Sequence, residues 1–240
     1  MSEKIKFTID GVEVEATQGQ TIMQAADEAG IYIPRLCAHK DLLPFGSCRV
    51  CTVMVNDRPQ AACTQPVSQG MSVDSETEEL NDIRRSIVEM LFVEGNHYCP
   101  FCEKSGNCEL QALGYRLGMM APRYPYMFNE HDVDASHPDI YIDHNRCILC
   151  ARCVRSSKEL DGKNVFQFVG RGIHKKVAFN SDTDLSGTDV SVTDKAIENC
   201  PVGAILKKRS AYAVPIGKRK YDSQPIGSDI ESRKAAVKQG

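Results

Sequence analysis

Eleven cysteines fall into three groups along the chain: Cys37, Cys48, Cys51 and Cys63; then Cys99, Cys102 and Cys108; then Cys147, Cys150 and Cys153 with the distant Cys200. His97 stands beside the middle group, which is one thiol short of four. With it, twelve soft ligands divide into three sets of four and no cysteine is left over. Tetrahedral sulfur coordination means zinc or iron–sulfur, so the composition already counts metal centres.

The sets differ in spacing. The first is C-x10-C-x2-C-x11-C, three cysteines on one long loop and the fourth further on. A zinc ribbon more often shows two short C-x2-C knuckles, and only one pair is close here. The pattern suits a binuclear 2Fe–2S cluster of the plant type with altered spacing, and Gly46-Ser47 lets backbone N–H groups turn toward its sulfurs. The second set, H-x-C-x2-C-x5-C, needs a fourth ligand. His97 is the candidate, because His131, His137, His144 and His174 lie in other segments. Taken alone, His97 could equally cap a helix or line the surface. The tally of thiols favours the ligand, and a neutral imidazole in place of a thiolate makes a 4Fe–4S cluster less negative.

The third set, C-x2-C-x2-C with Cys200-Pro201, is the bacterial ferredoxin run with one half missing. In two-cluster ferredoxins the fourth cysteine of each run serves the other cluster. Here that place holds Ser157, and Val190, Thr193 and Ala196 stand where the second triad belongs. One 4Fe–4S site is intact and its twin is erased.

The elements that must hold these ligands divide the chain. In residues 1–74, IKFTID and VEVEAT alternate around Asp10-Gly11, a two-residue hairpin signal. TIMQAADEAG then gives a helix ending at Gly30, followed by the cysteine loop, strand-like CTVMV, a turn at Asn56-Asp57, and ACTQPV. That order is the order of a β-grasp domain. Residues 75–130 predict helices. Ser75 with Glu78 makes a capping box, Leu80, Ile83, Ile87, Met90 and Leu91 form a stripe, Gly95 stops it, and CELQALGYRLG runs out of Cys108. Residues 138–206 alternate strand IYID, helix ARCVRSSKELDG, strands NVFQFV and KKVAF, then TDKAIENCPVGAI, a ferredoxin-like pattern. Residues 125–139 read as an ordered linker. The fold class is α+β: an N-terminal β-grasp 2Fe–2S domain, a helical His/Cys3 4Fe–4S segment, a bacterial-ferredoxin-like domain, and an extended tail.

That tail, 207–240, carries nine Lys/Arg against three Asp/Glu, a net of +6, which leaves −9 for the first 206 residues. A solvated end is one reading. A docking arm is the other, since Tyr212, Val214, Ile216, Tyr221 and Ile226 exceed what a solvating tail needs. The overall charge of −3 calls for no nucleic acid. An odd cysteine number cannot close a disulfide framework, the N-terminus lacks an apolar signal core, and no stretch approaches eighteen apolar residues. These features predict a cytoplasmic protein with reduced, metal-bound thiols and no membrane insertion.

The three sets in this order resemble the N-terminal part of the large iron–sulfur subunit of respiratory complex I, a block that also begins iron-only hydrogenases and some NAD-linked formate dehydrogenases. In length, and in EGNHYCPFCEKSGNCELQ, DHNRCILCARCVR and YAVPIGKRKYDSQPIGSDIE, the chain is most similar to the small diaphorase subunits of soluble NAD-reducing nickel–iron hydrogenases. Complex I relatives place three residues between the histidine and the first cysteine; here only Tyr98 intervenes, as in the diaphorase-type subunits.

The resemblance implies one 2Fe–2S and two 4Fe–4S clusters. It implies as partners a flavin- and NAD-binding diaphorase subunit and the small and large subunits of a nickel–iron hydrogenase. The first domains would lie toward the flavin and the last toward the hydrogenase. No G-x-G-x-x-G after a strand, P-loop or Ser/His/Asp context occurs, so no residue is read as catalytic and the chain is an electron-transfer subunit. A relay for formate dehydrogenase or a complex I-like assembly, a free multi-cluster ferredoxin, and a zinc-stapled scaffold are the alternatives. Metal analysis separates the last of these. Iron with acid-labile sulfide is expected, and zinc alone would exclude electron transfer.

Overall fold

The computed structural model describes residues 4–237, with side chains described to Arg233. Strands β1 (Lys4–Ile9) and β2 (Val12–Thr17) pair antiparallel from Lys4↔Thr17 to Ile9↔Val12. Asp10 and Gly11 between them have φ of 49° and 73°, the doubly positive turn that matches strand twist. Helix α1 (Ile22–Glu28) starts at a reciprocal capping box of Thr21 and Gln24. It ends as expected at Gly30 (φ 71°), with Gly30 N–H bonded to the Asp27 carbonyl and Ile31 N–H to that of Ala26, a Schellman closure.

After the cysteine loop come β3 (Thr52–Val55), β4 (Arg58–Ala61) and β5 (Ser72–Asp74). The five-stranded sheet runs β2-β1-β5-β3-β4, with β5 parallel to β1 and antiparallel to β3. Phe7, Ile9, Ile22, Ala25, Ile33 and Val53 form this unit's core.

Ser75 does not cap the next helix. Its N–H and hydroxyl both bond the Asp10 carboxylate at 2.6 Å, tying the hairpin turn to the sheet's exit. Helix α2 (Glu78–Val93) is capped instead by Thr77, which accepts from Leu80 N–H. Its buried face is also turned from the apolar stripe. Leu80, Arg84, Val88 and Val93 are buried, Ile83, Ile87 and Leu91 are half-buried, and Met90 is exposed. The reason is Arg84, wholly buried, which donates to the Thr52 carbonyl (2.8 Å) and to Asn81 (3.1 Å) and so clamps α2 onto β3. Helix α3 (Glu109–Arg116) follows from Cys108, its N-cap.

The linker 125–139 contributes more than a connection. β6 (Val133–Asp134) pairs with β7 (Ile140–Asp143), and Asn145 exchanges two hydrogen bonds with the backbone of His131. Then follow α4 (Arg152–Glu159), the hairpin of β8 (Phe166–Val169) and β9 (Lys176–Phe179), α5 (Lys195–Glu198), and β10 (Ile205–Lys207). β10 completes a three-stranded sheet, β10-β7-β6.

At the erased twin site, Ser157 is buried and its hydroxyl accepts the Val165 N–H at 2.7 Å. Lys163 pairs with Asp194 at 2.9 Å, and Asp161 accepts the N–H groups of Lys195 and Ala196. Val190 and Ala196 are buried in the apolar core beside these polar bonds.

One apolar core joins the second and third units, running through Leu110, Leu113, Ile140, Phe166, Val202 and Ile205. The tail folds back on it through α6 (Lys220–Ser223) and α7 (Ser228–Val237). Tyr221 N–H bonds the Gly106 carbonyl, Arg116 bonds the Ile226 carbonyl and Glu231, and Ile226 and Ile230 are buried. The solvated-end reading therefore fails for this stretch, while Tyr212, Val214 and Ile216 remain exposed. Of the tail's basic residues, Lys238 lies outside the described residues.

Leu113→Ala should lower stability by about 3 kcal/mol, the usual cost of a cavity at a fully buried leucine. Chemical denaturation of the two proteins measures it.

Candidate iron–sulfur sites

The first set converges. Cys37 N–H lies 3.4 Å from the Cys48 sulfur, and Gly46 (φ 72°) and Arg49 (φ 61°) turn the loop around that sulfur. The thiols of Cys48 and then Cys63 bond to Cys37 and hold its pKa low, with help from the N–H groups of Cys48 and Ser47. Cys48 is correspondingly raised, by Cys37 first and then by burial. Cys51 is lowered by the Cys63 thiol, and Cys63 is raised by Cys37 and Cys51. The four thiols thus act on one another's protons, and the Cys37 N–H is aimed at the Cys48 sulfur.

The third set lines a small apolar cavity of about 20 Å³, walled by Ile142, Phe168, Val177, Val202 and Ile205 with all four cysteines. Leu149 and Ala151 have φ of 51° and 59°, so the C-x2-C-x2-C loop alternates hand and turns N–H groups inward. The N–H of Leu149 acts on Cys147 and that of Arg152 on Cys150. Burial nevertheless pushes both thiols up to about 12 and Cys153 well above its ordinary value. Such thiols ionise only for a metal, so loading the site expels protons.

The second set is looser. Cys99 and Cys102 sit half-exposed on a tight turn, and Cys99 lines a groove bordered by Tyr115, Tyr212, Val214 and Ile216. Cys108 is buried and raised to about 12 by desolvation. His97 is tied to this trio through its carbonyl, which accepts from the Cys99 thiol at 3.7 Å. Its ring packs edge-on against Phe92 with centroids 5.5 Å apart, and its Nε2 is buried without a partner. Burial lowers its pKa to about 4, with Arg146 adding to the effect, so the imidazole is neutral at pH 7 and keeps a lone pair to offer. The ring lies over Gly95: a Cβ there would stand 2.6 Å from His97 Nε2.

Thiols with soft-metal preference, inward N–H donors and an orphaned imidazole nitrogen fit iron–sulfur clusters in donor type and surroundings. Among the described residues, no three His, Cys, Asp or Glu side chains are arranged for a single metal ion.

The third set does not stand at one end of a series, as chain order suggests. Its helix α4 reaches the first set: Arg155 donates to the Cys37 and Leu43 carbonyls, both at 2.5 Å, and Arg152 to the Ala38 carbonyl at 2.9 Å. Its other strand of ligands touches the second set. Glu109 N–H bonds the Pro201 carbonyl at 2.8 Å, and a Cβ at Gly203 would lie 2.7 Å from the Cys102 sulfur. Arg146, beside Cys147, approaches that same sulfur at 3.8 Å and pairs with Glu103. Sequence reasoning missed these arginines and Gly203, for lone residues outside the cysteine spacing carry no signal of their own.

Comparison with known proteins finds three successive matches along the chain. Residues 2–78 match the 2Fe-2S iron-sulfur cluster binding domain, 84–123 the NADH-ubiquinone oxidoreductase-G iron-sulfur binding region, and 137–206 the ferredoxin-like domain of NADH-quinone oxidoreductase subunit 3. The chain is thus an α+β iron–sulfur protein with a 2Fe–2S domain followed by 4Fe–4S binding domains. It is 43% identical over 223 residues to the NAD-reducing hydrogenase HoxS subunit gamma of Cupriavidus necator, covering 92% of this chain and 95% of that one. A chain in the crystal structure of an NAD+-reducing [NiFe]-hydrogenase in the H2-reduced state superposes with a TM-score of 0.90 at 45% identity, covering 93% of this chain and 96% of that chain. The mitochondrial NADH-ubiquinone oxidoreductase 78 kDa subunit of Candida albicans is 35% identical over 87% of this chain, which spans only 29% of that protein. The chain belongs to the family of NAD-reducing hydrogenase gamma subunits.

Gly95→Ala should push the His97 ring from its place. If His97 is a ligand, iron content should fall by one cluster's share while the other two centres keep their spectra. Full loading of Gly95→Ala would show that the ring's position is immaterial to that centre.

Proposed function

We propose that this chain is the electron-relay subunit of a cytoplasmic NAD-reducing hydrogenase, carrying single electrons between an NAD(H)-reacting flavoprotein and a nickel–iron hydrogenase module. The observation that carries this reading is the likeness, over 93% of this chain and 96% of the other, to a chain of an NAD+-reducing [NiFe]-hydrogenase. Among the described residues no helix is long and apolar enough to cross a membrane.

In this reading Cys37, Cys48, Cys51 and Cys63, in a β-grasp domain of residues 1–74, hold one 2Fe–2S cluster. His97, Cys99, Cys102 and Cys108, in the helical domain 75–130, hold one 4Fe–4S cluster. Cys147, Cys150, Cys153 and Cys200, in the ferredoxin-like domain 138–206, hold the other. The clusters supply one-electron redox chemistry; the protein holds them, sets their potentials and shields them from water. The third set adjoins both others, which supports the order first, third, second. The ends facing partners are then the first and second sites. The exposed Tyr212, Val214 and Ile216 beside the second set suit the tail 207–240 to a partner subunit.

His97→Ala should lose or destabilise one 4Fe–4S centre by electron paramagnetic resonance while two centres persist, and an unchanged three-centre spectrum removes His97 from the ligands. Cys200→Ser should delete only the ferredoxin-type centre. Affinity purification from the native cell should bring a flavoprotein and nickel with the iron; a lone iron–sulfur monomer would overturn the relay reading.

A further inference from the structure

Two arginines one turn apart on α4 stand between the first and third ligand sets, and their charges are handled differently. Arg152 is paired on both nitrogens of its fork with Glu109, at 2.8 and 2.7 Å. Arg155 is only 9% exposed, yet among the described residues it has no carboxylate partner. Its two terminal nitrogens donate to the carbonyls of Cys37 and Leu43, its Nε is buried with no acceptor, and the Phe45 ring covers it at 5.1 Å. The nearest acid along the helix, Glu159, is engaged by the Leu43 N–H at 3.0 Å.

A buried cation with no anion is costly, and proteins keep one only where a counter-charge arrives. The guanidinium donates to the carbonyl of Cys37, a ligand of the first set, and Arg155 stands two residues beyond Cys153, a ligand of the third, on the same helix. Once ligated, both cysteines are thiolates on clusters of net negative charge. The missing counter-anion is therefore supplied by both sets when the protein is loaded, and by neither when it is not.

We infer that Arg155 is the shared counter-cation of the first and third clusters, a residue that sets the potentials of both centres together. This rests on the ligand assignments given above. Each one-electron reduction adds one negative charge to a cluster facing the same buried cation, so the cation favours the reduced form of either. The screening that makes surface charges weak does not reach it there. The second set, with Arg146 and Glu103 as its own charged neighbours, lies outside this arrangement.

The test is a redox titration followed by electron paramagnetic resonance on the purified complex, comparing the unsubstituted protein with Arg155→Gln and Arg155→Lys. In Arg155→Gln the reduction equilibria of the first and third centres should each shift about tenfold toward the oxidised form, about 59 mV downward for one electron, while the second centre stays in place. Arg155→Lys, which keeps the charge but not the fork, should hold both potentials within about threefold of the original equilibrium, about 30 mV. A merely structural role predicts the reverse: the lysine protein would fall with the glutamine protein, or only the first centre, whose loop Arg155 grips, would move. Either result overturns the proposal, as do unmoved potentials in a fully loaded Arg155→Gln. If Arg155→Gln does not load, the lysine protein decides by the same criterion. Absence of either centre from the unsubstituted complex would instead sink the ligand assignments, and the inference with them.

Discussion

A thiol taken out of water resists ionisation, and the fold takes most of its eleven thiols out of water. In the third set burial first, and then the neighbouring cysteines, hold Cys147 and Cys150 near 12. In the first set, thiols crowd until each one's proton is set by its neighbours. The arrangement in the third set is unfavourable for free thiolates and favourable only with a cationic cluster core to bind them, so the free energy of loading is bound up with that of folding. The inward-turned N–H groups, the left-handed residues at Leu149 and Ala151, and the apolar walls around Cys200 all follow from that single requirement.

The same requirement explains how the units are joined. A sheet with a cysteine loop, a helical pair and a ferredoxin-like unit could each have been linked by mobile segments. Instead the contacts between them pass through residues next to the ligands: Arg155 to the carbonyl of Cys37, Pro201 to the N–H after Cys108, and Gly203 against the sulfur of Cys102. The backbone that carries one set thereby fixes the geometry of the next, which suits a molecule whose work depends on the distances between its centres.

The order of the iron–sulfur domains was legible because cysteine spacing is dictated by cluster size and loop length, which leave little freedom. The hairpin at Asp10-Gly11 and the closure at Gly30 were legible for a similar reason, since only a few residues adopt those dihedrals. What escaped the sequence was long-range competition for local signals. Ser75 and Glu78 spell a capping box, but Asp10, 65 residues earlier, takes the serine. The apolar stripe of α2 pointed to one face, and Arg84 turned the helix to reach the Thr52 carbonyl. Arg152 and Arg155 carry no local signal of their role, because nothing in the local sequence says that α4 packs against the loop of Cys37. The turned-back tail was missed for the same reason: Ile226 and Ile230 bury themselves against residues a hundred positions away.

The place of the lost twin cluster has a consequence for traffic. Two-cluster ferredoxins hold a second acceptor within the same small fold, so an electron arriving there has a side branch in which to wait. Here Ser157, Val190 and Ala196 are buried beside the Lys163–Asp194 pair, and Asp161 stitches the start of α5 shut. In the proposed relay this junction is a through-road and not a fork: an electron on the third site would have only the ways on and back.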